Sequence, residues 1–164
     1  MTEVYLALGS NVGDSRVLID QAIKLLAVDV LSNLQQAPLY ATKPVGYTDQ
    51  PDFINTVVSG QTDLKPGELL TKVKQIEHQV GRIQRFRWGP REIDIDIILY
   101  GDMKLQTPDL TLPHLLFRER SFVLRPLNDL SPGLVDPVTS QTVAELLAAL
   151  PPEEIPPKAL TSKA

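Results

Sequence analysis

Five residues, Ile93-Asp94-Ile95-Asp96-Ile97, alternate strictly between an aliphatic side chain and a carboxylate. Successive side chains of a strand point to opposite faces, so the pattern predicts a strand with three isoleucines on one face and two carboxylates on the other. The carboxylates then stand roughly 6.6 Å apart along the strand. An ordinary half-exposed strand of an antiparallel sheet shows the same alternation. Two observations weigh against that plain reading. Asp is depleted in strands, and two on one face repel each other. The residues just before, Arg87-Trp88-Gly89-Pro90-Arg91, bring the only Trp of the chain and two guanidinium groups to the mouth of the strand. Carboxylates that can hold hard cations, beside arginines that face the remaining negative charge, suit a polyphosphate bound through Mg²⁺.

Charge sharpens this expectation. The chain is acidic overall, with a formal net charge of −4, yet Arg82, Arg85, Arg87 and Arg91 are half of its arginines. A second basic group, Arg118, Arg120 and Arg125, follows Pro113-His114. Non-specific nucleic-acid binding needs a broad basic face, which an acidic chain with local Arg clusters does not offer. A compact anion such as a nucleotide triphosphate fits better. There is no cysteine, so disulfides and thiolate metal sites are excluded. No secretory signal is visible at Met1-Thr2-Glu3-Val4, and no apolar run approaches the ~20 residues of a membrane span. The expectation is a cytoplasmic monomer with no membrane or nucleic-acid partner.

The rest of the chain alternates strand and helix signals. Val4 to Leu8 reads as a buried strand ended by Gly9-Ser10-Asn11. Residues 14 to 27 read as a helix, with Leu18, Ala22, Leu25 and Leu26 on its apolar face and Asp14 or Ser15 as cap. Residues 31 to 41 are extended, with Pro38 marking an edge or bulge. A loop over 42 to 52 leads to a β-branched strand from Phe53 to Thr62. Pro66 opens a second helix buried through Leu69, Val73, Ile76 and Val80, and Gly81 closes it. The Arg loop and the Ile93–Tyr100 strand follow. This order, strand, helix, strand, strand, helix, strand, predicts an α+β, ferredoxin-like βαββαβ sheet with helices on one face and the other face open to a ligand. A C-terminal extension adds a short hairpin over 105 to 112, a turn with a short helix over 113 to 120, and a small helix over 142 to 150. At 164 residues, one domain over 1 to 150 is expected, with a Pro-rich tail over 151 to 164.

These residues resemble the 6-hydroxymethyl-7,8-dihydropterin pyrophosphokinase family of folate biosynthesis. The family signature is a basic residue, Gly-Pro-Arg, two residues, then Asp-aliphatic-Asp and two aliphatics, and Arg87 with Gly89 to Ile98 satisfies it. Leu8-Gly9-Ser10-Asn11, Gln50 to Asn55, Ile76-Glu77 with Gly81-Arg82, Leu112-Pro113-His114 and Arg120 to Leu124 extend the match over about residues 2 to 137. The resemblance implies transfer of diphosphate from ATP to the hydroxymethyl oxygen of a reduced pterin, leaving AMP. It implies two Mg²⁺ ions on Asp94 and Asp96, and catalytic charge stabilisation by Arg82 and Arg91. It implies ATP contacts at Glu77, Trp88, Arg91, Ile97, Thr111, His114 and Arg120. It implies pterin contacts at Thr42, Val45, Gly46, Phe53, Asn55, Trp88 and Phe122. Leu115-Leu116 stands where the family usually has Pro or an aromatic.

Other classes predict other features. A different Asp-x-Asp phospho- or nucleotidyltransferase on the same fold would release ADP or pyrophosphate. A ferredoxin-like RNA-binding module needs aromatics on central strands within a basic face. A Walker-type phosphate loop is excluded, because Gly9-Ser10-Asn11-Val12-Gly13-Asp14-Ser15 has the wrong glycine spacing and Asp in place of Lys.

Overall fold

The computed structural model describes residues 1–43, 49–83 and 89–151. Chain order is β1 (Thr2–Ser10), α1 (Ser15–Asp29), β2 (Ser32–Gln36), β3 (Tyr40–Thr42), β4 (Phe53–Thr62), α2 (Pro66–Val80), β5 (Asp94–Tyr100), β6 (Leu105–Gln106) and β7 (Thr111–Leu112). A single 3₁₀ turn over Phe117–Glu119, then α3 (Ser121–Leu130) and α4 (Val143–Ala148), complete it. The main sheet runs β2-β4-β1-β5, with β3 also paired to β4. All of these pairs are antiparallel. β2 and β3 are two pieces of one edge strand, interrupted around Pro38 where a proline cannot donate to the ladder. This is the ferredoxin-like order expected from the alternation.

The first face of the sheet is covered from end to end. Val4, Leu6 and Leu8 of β1 and Ile95 and Ile97 of β5, with Ile93 just ahead of that strand, pack against α1 and α2 in one buried cluster. α1 buries Ile19, Ala22, Ile23 and Leu26, a stripe rotated from the predicted one: Leu18 is half-exposed. The Asp14 carboxylate accepts from the Val17 N–H at its start. α2 begins at Pro66 and ends on Gly81, whose φ of 115° lies in the left-handed region that closes helices without a Cβ clash.

The second face differs from expectation. The C-terminal extension packs onto it, so helices lie on both sides of the sheet rather than one. Tyr5 and Ala7 of β1, Val57 of β4, and Ile98 and Leu99 of β5 pack with Val123, Leu124 and Leu127 of α3 and Leu146 and Leu147 of α4. The sequence predicts no helix over 121 to 130, and Pro126 inside that segment lacks the N–H of an interior helical residue. The helix forms because its four buried residues, Val123, Leu124, Pro126 and Leu127, find an apolar sheet face. α3 and α4 cover one end of this face and stop short of the other.

A bulge in β5 reconciles its two ends. Leu6 pairs with Ile97 and Tyr5 with Leu99, so Ile98 is the surplus residue. Asp94 and Asp96 therefore face the same side as Tyr5 and Ala7, while Ile98 and Leu99 both go under α3 and α4.

Candidate active site

On the second face, β1 presents Tyr5, then Ala7, then Gly9. The large residue lies beneath the C-terminal helices. The two small ones form the floor of a cleft of about 350 Å³. Register places the walls: Gly9 stands opposite Asn55 of β4 on one side and opposite Asp94 of β5 on the other. Strands are ~4.8 Å apart, so the backbones that carry the amide and the carboxylate are roughly 10 Å apart, with no side chain on the residue between them. Gly9 leaves room for the Asn55 amide. A Cβ on it would come within 2.8 Å of Asn55 Oδ1.

The β4 wall is flat and polar at one edge. Asn55 is buried, and its Nδ2 donates to Thr42 Oγ1 at 2.5 Å. Phe53 of β4 and Phe122 of α3 line the same cleft. Arg120 lies over the Phe122 ring, 5.5 Å from its centre.

The β5 wall is a charge network. Arg91 Nη1 donates to Asp94 Oδ2 at 2.7 Å, and Arg82 Nη1 donates to Asp94 Oδ1 at 3.1 Å. Both oxygens of that carboxylate thus face a guanidinium. Arg82 is held from behind by Glu77, whose Oε2 accepts from Arg82 at 2.8 Å and from the Ile95 N–H at 2.8 Å. Burial raises the Glu77 carboxyl above its usual range. Asp96 is raised further, first by burial and then by the nearby Asp94 charge. Arg120 and Arg91 act in the opposite direction without overcoming those effects.

His114 closes the upper side. Its Nδ1 accepts from the Leu116 N–H at 3.1 Å, so the neutral ring carries its proton on Nε2. Burial and the neighbouring Arg120 push its pKa down to about 4, which keeps the ring neutral at physiological pH.

The cleft thus brings together Thr42, Phe53, Asn55, Arg91, Asp94, Asp96, His114, Arg120 and Phe122, all singled out in the sequence. Four other candidates fall elsewhere. Glu77 is buried behind the β5 wall as its support, and Arg82, half-buried beside the lining, reaches the cleft through Asp94 Oδ1. The Ile97 side chain is in the helix-covered core, so a nucleotide contact at that position is left to its backbone. Thr111 sits in the β6–β7 hairpin, away from the cleft lining. Val45, Gly46 and Trp88 lie outside the described residues.

Sequence reasoning gave no role to Gly9 or Asn11. The signal for Gly9 was present: Tyr5-x-Ala7-x-Gly9 shrinks along one strand face. Asn11 stands in the Leu8-Gly9-Ser10-Asn11 match, but nothing near it in sequence points to its partners.

Among the described residues, no group of three or more His, Cys, Asp or Glu side chains is placed to hold an ion by itself. No helix among them is long and apolar enough to cross a membrane.

Residues 5–132 match the family described as 7,8-dihydro-6-hydroxymethylpterin-pyrophosphokinase (HPPK). The 2-amino-4-hydroxy-6-hydroxymethyldihydropteridine pyrophosphokinase of Aquifex aeolicus is 42% identical over 145 residues, 88% of this chain and 90% of that protein. Folic acid synthesis protein fol1 of Schizosaccharomyces pombe is 45% identical over 152 residues, 92% of this chain but 21% of that protein. The chain thus spans about a fifth of the longer relative and nearly all of the shorter one. Among solved structures, wild-type Plasmodium falciparum HPPK-DHPS with pteroate is similar in fold, with a TM-score of 0.73 at 18% identity over 90% of this chain and 42% of that one.

Proposed function

The chain belongs to the 7,8-dihydro-6-hydroxymethylpterin-pyrophosphokinase family, and on that premise we propose that the cleft on the second sheet face performs that family's reaction, with its two walls serving two substrates. Diphosphate passes from ATP to the hydroxymethyl oxygen of 6-hydroxymethyl-7,8-dihydropterin. A bond forms between that oxygen and the β-phosphorus, the bond from the β-phosphorus to the α–β bridging oxygen breaks, AMP leaves, and the hydroxyl proton is released. The observation that carries the assignment is the row Asn55–Gly9–Asp94, which sets an amide and a carboxylate on strands about 10 Å apart, either side of a residue with no side chain.

On the β4 wall, Asn55 offers an acceptor and a donor in one plane, matched to the amide-like edge of a pterin. Thr42 Oγ1 anchors the amide at the cleft edge. Phe53 and Phe122 supply ring faces for stacking. On the β5 wall, Asp94 and Asp96 supply hard oxygen donors on one strand face. Their surroundings fit a divalent cation: the two carboxylates share one strand face, and Asp96 is raised first by burial and then by the Asp94 charge, which a cation would offset. Mg²⁺, in two ions, would neutralise the triphosphate and polarise the β-phosphorus. Arg91 and Arg82, whose guanidinium groups meet at Asp94, would face charge building on the bridging and leaving oxygens. His114 presents an Nε2–H donor, and Arg120 a second cation, to the ATP phosphates. The working form is a cytoplasmic monomer.

The test is turnover of ATP with and without 6-hydroxymethyl-7,8-dihydropterin, with AMP resolved from ADP and pyrophosphate. Pterin-dependent AMP is the expected product. ADP or pyrophosphate as the matched product would assign the cleft to a different transfer.

A further inference from the structure

The row that runs Asp94, Gly9, Asn55 across the second face ends on Tyr40, which stands opposite Asn55 in the β3–β4 pairing. Thr42 stands opposite Phe53 in the same pairing. Directly paired residues share a face, so Tyr40 and Thr42 rise on the cleft side of the sheet edge. The Tyr40 ring is 1% exposed. Its hydroxyl reaches α3, where it donates to Asp129 Oδ2 and accepts from Arg125 Nε at 3.2 Å. The Arg125 guanidinium also lies over the ring, 5.9 Å from its centre. Burial, and then the Asp129 bond, raise the hydroxyl above its ordinary range, so it stays a donor at physiological pH. Phe122, Arg125 and Asp129 are spaced i, i+3 and i+7, one stripe of α3. Phe122 thus sits about one turn from the first residue that holds Tyr40.

We propose that Tyr40 is a positioning residue that sets the width of the pterin slot, by fixing the distance from α3, which carries Phe122, to the sheet edge, which carries Phe53. The inference rests on the two-substrate reading above. Phe53 belongs to the sheet and Phe122 to the helix layer, and both line the cleft. The space between their rings therefore follows the spacing of the two layers at this edge. Apolar packing attracts without direction and lets layers slide. A hydroxyl held between a guanidinium and a carboxylate has set lengths and angles. A flat bicycle stacks on an aromatic face at ~3.5–4.0 Å, and a gap of ~0.5–1 Å forfeits roughly a quarter to a half of the attraction. The slot needs a spacer of fixed length, whereas core packing at this place needs only a ring. A ring without a hydroxyl would fill the same volume and leave no polar group to satisfy.

The experiment is steady-state AMP formation with pterin and ATP varied in turn, at temperatures where thermal denaturation shows each variant folded. Tyr40→Phe keeps the ring and severs both bonds. It should raise the KM for 6-hydroxymethyl-7,8-dihydropterin by roughly tenfold and leave the KM for ATP within about threefold of wild type. Asp129→Ala cuts the same link from the helix side, at a partly exposed position, and should raise the pterin KM in the same way even if Tyr40→Phe fails to fold. Asp129→Asn keeps an acceptor for the hydroxyl and should hold the wild-type value. Tyr5→Phe is the control. The Tyr5 hydroxyl bonds Glu3 and, at the far end of α3, Ser131, so the same atom is lost from the same sheet face away from the slot. Its pterin KM should stay at wild type. A wild-type pterin KM in Asp129→Ala or in folded Tyr40→Phe, an equal rise in the KM for ATP, or an equal rise in Tyr5→Phe overturns the proposal, and pterin-dependent AMP in the same assays leaves the functional reading standing. Wild-type protein that forms no pterin-dependent AMP overturns both.

Discussion

The two faces of one sheet follow different rules. On the face under α1 and α2, β1 places Val4, Leu6 and Leu8, and every position is filled by an aliphatic side chain. On the face shared by α3, α4 and the cleft, the same strand places Tyr5, Ala7 and Gly9. The first face is covered by helices along its length, with Thr56 and Gly60 of β4 set among its aliphatic side chains. The second does so at one end and gives up volume at the other, where polar and charged groups gather from β4, β5 and the 112–122 segment. The difference separates residues that keep the molecule folded from residues that make it act, although they alternate along a single chain.

The sharpest challenge to this division compares one residue from each face. Asp96→Asn should lower turnover by ~10²–10³-fold, as loss of a charge-stabilising group in a transfer site does. It should leave the melting temperature unchanged or higher, because it removes a buried charge next to Asp94. Leu26→Ala, fully buried between α1 and the sheet, should do the reverse. A loss of ~2–5 kcal/mol in stability with a near-normal rate at temperatures where the variant is folded is expected. Thermal denaturation beside steady-state AMP formation reads both. If Asp96→Asn unfolds the protein, or Leu26→Ala silences it while folded, the division fails.

A finer cut falls within the cleft. Gly9→Ala adds a methyl group aimed at Asn55 Oδ1 rather than at the carboxylates. Overpacking of this kind typically costs 1–3 kcal/mol, so pterin affinity should weaken by about tenfold or more. Affinity of the pterin-free protein for an ATP analogue should change less than about threefold. Equal losses for both ligands would show that Gly9 shapes the cleft as a whole and that the walls are not separate.

The smallest effect concerns acidity. The folded protein keeps His114 neutral down to about 4, whereas the ring in an unfolded chain takes its proton near 6.5. The unfolded state therefore binds more protons between those values. The stabilising contribution is complete above about 6.5 and is lost as pH falls through the interval towards about 4. His114→Gln should flatten that acid limb by roughly 1–3 kcal/mol, measured as denaturant stability at pH 7 and pH 4.5. An unchanged slope would place the ring outside the low-dielectric end of the cleft.

The first face was legible in the sequence because burial against helices imposes a period that composition reveals. Leu69, Val73 and Ile76, and Ile93, Ile95 and Ile97, needed only counting. Asp94 and Asp96 were legible for the same reason in reverse, as breaks in an apolar strand. Their separation from the core survives a bulge at Ile98 that no local pattern announces. α3 was not legible, because its interior proline outweighs four apolar residues until the sheet face beneath them is known. Glu77 enters as a nucleotide contact through the family resemblance, and the sequence equally allows a salt bridge to Arg82 or a Lys. The path of α2 pairs it with Arg82 and adds the Ile95 N–H. Asn11 is the extreme case: its four hydrogen bonds reach positions 39 to 80 residues away.

The tapering row Tyr5, Ala7, Gly9 also bears on how this molecule can change over generations. Most positions of a protein can drift both ways in size, and a loss at one site can be made good by a gain nearby. Gly9 has no smaller neighbour in the genetic alphabet. Every inherited change there adds atoms, and the first of them already meets Asn55. Ala7 has a single step down and many up. The floor of the cleft is therefore a one-way ratchet: chance substitution can fill it but cannot deepen it at Gly9. Lineages that needed a larger substrate would have to move a wall, at Phe53 or Phe122, and leave the floor as it is.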